Sequence, residues 1–269
     1  MMQKLQLIDV KYTQLAPMTW CATAEVSESL SLHLRETRSK SACLSVFNIP
    51  DMNLHQLHDA NWQHYTSQSH LSVRDIAYNQ RQQQRKGVRL LLKALLNKLA
   101  ITDTLDESDF PYRLMNSKYY VCFSHTGAGY KNDRHTDSDT DFRHANHKSS
   151  NNKIAVAISR CHAVGIDIET NEVAQNVAQR FYHINEVAAL QTLSASDNRT
   201  MTKLFWQIKE SFIKIRQYKL AQGLGMDYSY LLPSLVDKMS EKSPVIIIND
   251  DKIDYHIAVL LSQQTVVVF

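Results

Sequence analysis

The chain contains no apolar run long enough to cross a bilayer. Its longest, such as VRLLLKALL, fall far short of the roughly 20 residues that a spanning helix needs. The opening residues, MMQKLQLIDVKYTQL, lack the apolar core of a secretory leader, so the sequence reads as that of a cytoplasmic protein with no membrane partner. The four cysteines, Cys21, Cys43, Cys122 and Cys161, form no CxxC pair. That spacing argues for reduced, structural thiols and against a zinc site or a disulfide framework. There is no large excess of one charge either: the formal net charge is +3, so nothing calls for a nucleic-acid partner.

The 269 residues are 43% apolar and 21% charged, which suits a core of ordinary size in one large domain or two smaller ones. LQLIDV and WCATAEV, within 1–30, read as strands. QRQQQRKGVRLLLKALLNKLA (80–100) places Val88, Leu91, Leu92, Leu95 and Leu99 on one stripe of a long amphipathic helix. YYVCFSH (119–125) and KIAVAIS (153–159) read as strands, and 126–152 between them is a polar insertion with too little apolar area to offset its ordering entropy. Its His135, His144 and His147 and its TDSDTD run match no EF-hand or zinc spacing. Further on come a helical stretch near 184–193 and a long helix near 199–218 with Asp197 as its N-cap. PVIIIND, DYHIAVLL and QTVVVF then read as a closing antiparallel sheet.

AVGIDIET (163–170) is an apolar run that carries Asp167 and Glu169. Residues two apart on a strand share a face, so the acids project together while Ile166 and Ile168 face the core. Neighbouring carboxylates repel, and both stay ionised only where a cation or hydrogen-bond donors sit between them. Taken alone, the pair fits a solvent-facing edge strand as well as half a site for a hard divalent ion. In LFWQIKESFIKI (204–215), Leu204, Ile208, Phe212 and Ile215 form a core stripe. Trp206, Glu210 and Lys214 fall on another face, with Lys209 beside them. Alone, Glu210 and Lys214 are an ordinary surface pair worth a few tenths of a kcal/mol. FSHTG offers Ser124 and His125 at a strand end; alone, that is an unremarked histidine.

In order and type the three pieces resemble the 4'-phosphopantetheinyl transferases of the large, single-chain Sfp type. That family has Ser-His at a strand end, then Gly-(Ile/Val)-Asp-x-Glu, then Trp-x-x-Lys-Glu-(Ser/Ala)-x-x-Lys. Here these read Ser124-His125, Gly165 to Glu169 and Trp206 to Lys214. RFYHINEVAAL (180–190) resembles a family segment that leads to an acid, here Glu186. The resemblance implies an α+β fold of two similar subdomains, 1–160 and 161–269. They would form a pseudo-twofold dimer within one chain, monomeric, with the active site in the cleft between them.

It also implies a Mg²⁺ held by Asp167, Glu169 and Glu210 that binds the pyrophosphate of coenzyme A. Phosphopantetheine would pass to a serine of an apo acyl or peptidyl carrier protein, releasing adenosine 3',5'-bisphosphate. Glu210 would act as base and Lys214 would neutralise phosphate charge, with Ser124, His125 and Lys209 contacting coenzyme A. FPYRLMNSKYY stands where the family has Gly-Lys-Pro, so Arg113 or Lys118 is expected to substitute. The family's arginine in the first long helix corresponds to Arg81 or Arg85. Two alternatives stay open at this point: another Mg²⁺-dependent phosphate enzyme such as a hydrolase, and a carrier-binding module without catalysis. The sequence does not choose between fatty-acid, polyketide and nonribosomal-peptide carriers.

Overall fold

A computed structural model describes residues 4–29, 73–126, 152–241, 243–250, 252 and 254–269. The alternating runs at the start form a hairpin, β1 (Lys4–Ala16) and β2 (Thr19–Ser29). The leucine-striped segment is α1 (Val73–Lys98), which begins a turn or more before its apolar stripe. Two short strands follow, β3 (Leu105–Asp106) and β4 (Arg113–Leu114), then β5 (Tyr120–Thr126) and β6 (Asn152–Ser159). These six strands make one antiparallel sheet in the order β1-β2-β6-β5-β4-β3.

The second half opens with β7 (Gly165–Ile168) and continues through α2 (Gln175–Phe181), α3 (Ile184–Gln191) and α4 (Ala195–Arg216). After α5 (Leu220–Leu224) and α6 (Leu232–Ser240) come β8 (Ile246–Asp250), β9 (Tyr255–Leu260) and β10 (Thr265–Val268). They complete a second antiparallel sheet, β7-β10-β9-β8, with β7 at its edge. The mixed α+β class and the antiparallel closing sheet agree with the sequence reading. One helix start does not. Ser194, not Asp197, caps α4: its hydroxyl accepts from the Asp197 amide and donates to the Asp197 carboxylate.

Period-2 alternation sorts side chains into three cores. Ala22, Ala24 and Val26 of β2 and Ile154, Val156 and Ile158 of β6 face α1, meeting Val88, Leu91, Leu92 and Leu95. The alternate residues Cys21, Cys122, Ala155 and Ala157 meet Ile166, Ile168, Ala258, Leu260 and Val267 of the second sheet. The far face of that sheet (Ile246, Ile248, Ile257, Val259, Val266, Val268) receives Leu204, Ile208, Phe212 and Ile215 of α4. The layers therefore run helix, sheet, sheet, helix, with Ala155 and Ala157 small enough for the sheets to meet. The polar insertion expected at 126–152 lies, apart from its end residues Thr126 and Asn152, outside the described residues. Among the described residues, no helix is long and apolar enough to cross a membrane.

Candidate active site

Three elements converge at the edge of the second sheet: the end of β5, β7 with the residue after it, and the middle of α4. Gly165 explains the closeness of the last two. A Cβ on Gly165 would lie 2.1 Å from the Ser211 carbonyl oxygen, so only glycine lets the α4 backbone press onto β7. The stripe of α4 that faces β7 is polar and recurs at helical spacing: Lys203, Gln207, Glu210 and Lys214. Gln207 donates to the Asp167 carbonyl (3.4 Å) and to the Gln264 carbonyl (2.8 Å). This ties the helix to β7 and to the turn that leads into β10.

Asp167 is buried, and its Oδ1 accepts from Ser124 Oγ (3.0 Å) and from Lys214 Nζ (3.0 Å). Lys214 also donates to the Ile166 carbonyl (2.7 Å) and to Ser124 Oγ (3.2 Å), and Ser124 Oγ accepts the Ile168 amide (3.2 Å). Glu169 follows the same pattern. Its Oε1 accepts from Thr126 Oγ1 (3.2 Å), from the Asn171 amide (2.8 Å) and from Asn171 Nδ2 (3.1 Å). The repulsion expected between the two acids is thus offset by hydroxyls and one ammonium.

Glu210 is half-buried. Burial pushes its carboxyl above the ordinary glutamate range; Lys214 opposes the rise, and the charges of Asp167 and Glu169 add to it. Asp167 Oδ2, Glu169 Oε2 and both Glu210 oxygens accept no hydrogen bond from the described residues. In chemistry this is a set of open carboxylate oxygens suited to a hard divalent cation. It is not a finished cage: among the described residues, no three or more His, Cys, Asp or Glu are grouped so that they could hold a metal ion. The donors fit, and closing around an ion requires movement of their free oxygens. A cavity of about 310 Å³, lined by Thr170, Lys203, Gln207 and Gln264 among others, adjoins the acids on the Glu169 side.

The other expected residues divide. His125 lies on the opposite face of β5 from Ser124. Loss of surrounding water lowers its pKa, and the charges of Lys214 and Arg85 lower it further. Arg85, exposed on α1, thus lies within electrostatic reach of the Ser-His end. Arg113 does not join the site. It is bound to Tyr120, donating to the phenol (2.8 Å) and stacking on the ring (4.3 Å to its centroid), at the other end of β5. Five residues at about 3.3 Å each put that end some 17 Å from His125.

Lys209 is also placed elsewhere, and its expected phosphate contact does not fit. The side chain is fully buried, 2.8 Å from Glu186 Oε2, and it donates to the Leu224 carbonyl (2.7 Å) and the Met226 carbonyl. Its three donors are taken, and the rings of Tyr182 and Tyr228 enclose it at 5.2 and 5.3 Å. Burial raises the Glu186 carboxyl and lowers the Lys209 ammonium, and each partner opposes the other's shift. The sequence reading overlooked Thr126, Lys203 and Gln207. Their signals were present: Thr126 stands two residues after Ser124, and Lys203 and Gln207 stand seven and three before Glu210.

Residues 163–267 match the model of the 4'-phosphopantetheinyl transferase superfamily. A curated relative, the 4'-phosphopantetheinyl transferase gsp of Aneurinibacillus migulanus, is 42% identical over 86 residues. That stretch covers 31% of this chain and 32% of the relative, so the match spans about a third of the relative's length. Gly165, where α4 presses onto β7, and the site residues Asp167, Glu169, Glu210 and Lys214 all fall inside the matched segment. Over residues 163–267, and over those residues alone, the chain is similar to the 4'-phosphopantetheinyl transferase superfamily.

Proposed function

We propose that the protein transfers 4'-phosphopantetheine from coenzyme A to a serine hydroxyl of an apo acyl or peptidyl carrier protein, releasing adenosine 3',5'-bisphosphate. The observation that carries this reading is the convergence of Asp167, Glu169 and Glu210 beside Lys214, with free carboxylate oxygens, inside the segment that matches the superfamily. Asp167, Glu169 and Glu210 would hold a divalent cation such as Mg²⁺. When bound, that ion neutralises pyrophosphate charge and stabilises the leaving phosphate.

The chain's own residues supply the rest. Glu210, whose carboxyl lies within electrostatic reach of Asp167, Glu169 and Lys214, takes the serine proton. The serine oxygen bonds to the phosphorus that bears pantetheine, and the bond from that phosphorus to the bridging oxygen breaks. The electron pair leaves with adenosine bisphosphate. Lys214 holds Asp167 in place and adds positive charge where phosphate charge accumulates. His125 and Arg85, on the N-terminal side of the site, meet the phosphates of coenzyme A. Two helix-on-sheet layers placed back to back also suit the doubled α+β unit that the resemblance implies.

The test incubates the protein with Mg²⁺ and coenzyme A, alone and with a panel of apo-carriers from fatty-acid, polyketide and peptide systems. The expected result is at least one carrier heavier by one phosphopantetheine, with coenzyme A untouched when no carrier is present. Consumption of coenzyme A without a carrier would instead identify a hydrolase, and an unmodified panel would refute the transfer.

A further inference from the structure

We propose that Thr126 is a positioning residue of the acid centre, fixing Glu169 for a divalent cation as Ser124 fixes Asp167. The inference rests on the reading that these acids hold such a cation. β5 belongs to the first sheet and β7 to the second, so the two acids are anchored across the boundary between sheets. Ser124 and Thr126 stand two apart on one face of β5, and Asp167 of β7 and Glu169, the residue that follows the strand, likewise stand two apart. The periods match, giving two rungs: Ser124 Oγ to Asp167 Oδ1 at 3.0 Å and Thr126 Oγ1 to Glu169 Oε1 at 3.2 Å.

In both rungs one carboxylate oxygen is bound and the other receives nothing from the described residues. That is the pattern by which outer partners orient a ligand while leaving its coordinating atom open. The remaining donors to Glu169 Oε1, both from Asn171, lie two residues along the same segment and move with it. Among the described residues, Thr126 supplies the one hydrogen bond that ties Glu169 to the opposite sheet. Thr126 is itself buried and sits at the end of the ladder, opposite Lys153.

The test measures Mn²⁺ affinity directly, by the electron paramagnetic resonance of free Mn²⁺, without coenzyme A or carrier. Thr126→Val keeps the shape and removes the hydroxyl; Thr126→Ser keeps the hydroxyl; Thr126→Ala repeats the loss with less bulk. The Val and Ala proteins should bind Mn²⁺ about tenfold or more weakly, with Ser at the wild-type affinity and thermal midpoints alike. In a transfer assay, the Val protein should show a raised KM for the metal and a kcat that recovers at saturation. Equal Mn²⁺ affinity in the wild-type and Val proteins, failure of Ser to restore it, or a wild-type protein that binds no Mn²⁺ would each overturn the inference. A wild-type protein that binds Mn²⁺ with this pattern yet modifies no carrier would leave the positioning role standing and refute the transferase reading instead.

Discussion

Lys209 and Lys214 stand five residues apart on α4, and each lies about 3 Å from a carboxylate. Around Lys209, both partners are at 0% exposure, every ammonium donor is matched, and aromatic rings close the pocket. Around Lys214, the pair is only partly sealed, at 23% and 11% exposure, and three carboxylates present unbonded oxygens beside it. An ion pair sealed from solvent has no oxygen to offer a ligand, so it joins α3 to α4 and the 224–228 segment. An ion pair at a cleft edge keeps its charge available. The same two residue types therefore serve architecture at one position and chemistry at the other, and solvent access sets the difference.

Glu186→Ala should give the largest effect on folding. It leaves the Lys209 ammonium buried without a counter-charge, a loss of about 3–5 kcal/mol, read by urea unfolding. Asp167→Asn should do the reverse. Lys214 retains the Ile166 carbonyl and Ser124 hydroxyl as acceptors, so stability should change by no more than about 1–2 kcal/mol. Carrier modification should fall by more than about a hundredfold, beyond what losing a supporting partner alone produces. Similar stability losses in the two proteins, by the same unfolding measurement, would erase the distinction between the regions.

How far the sequence reveals this contrast depends on what the motifs encode. Asp167, Glu169, Glu210 and Lys214 were legible because alternation on a strand and helical spacing fix which side chains share a face. The core stripe Leu204, Ile208, Phe212 and Ile215 was legible for the same reason. Lys209 was misread because spacing gives a direction around the helix but not what packs there. Its partner Glu186 is 23 residues earlier in the sequence, brought near only by the packing of α3 on α4. Arg113 was misread because the register of β4 on β5, not its place near the motif, sets its distance from His125. The rungs of Ser124 and Thr126 depend on how two sheets face each other, which neither strand encodes alone.

Alkaline pH should weaken the fold by a smaller amount. Burial pushes the Cys21 thiol up to about 12, and it also raises Cys122, Tyr182, Tyr228 and Tyr230. A group that keeps its proton longer when folded contributes fully below its unfolded pKa and loses that contribution as pH rises toward its folded value. The unfolding free energy should therefore fall steadily from about pH 9 upward. A flat profile between pH 9 and 11 would show these groups to be more accessible than their burial implies. Thiol alkylation followed by peptide mass mapping probes the same burial more locally. Cys161 is exposed and should label rapidly, while Cys21 and Cys122 stay protected until denaturant is added.

The smallest effect should come from replacing residues 131–151 with a short Gly-Ser turn. Thr126 and Lys153, described residues on either side of that stretch, are already paired across the ladder. Stability should fall by no more than about 1 kcal/mol, because closure entropy varies slowly with length. The affinity for coenzyme A should be almost unchanged. A KM for either substrate raised tenfold or more would place that segment in the binding site.

The central claim is that the open cluster beside Lys214 carries out the transfer. Intact-mass measurement of an apo-carrier incubated with coenzyme A, Mg²⁺ and the Glu210→Gln protein tests it most directly. Glutamine keeps the side chain's size while removing the charge and the basic oxygen, so the fold should persist. The account predicts that the carrier stays apo over a time in which the wild-type protein converts it completely. Conversion by Glu210→Gln at the wild-type rate would contradict it.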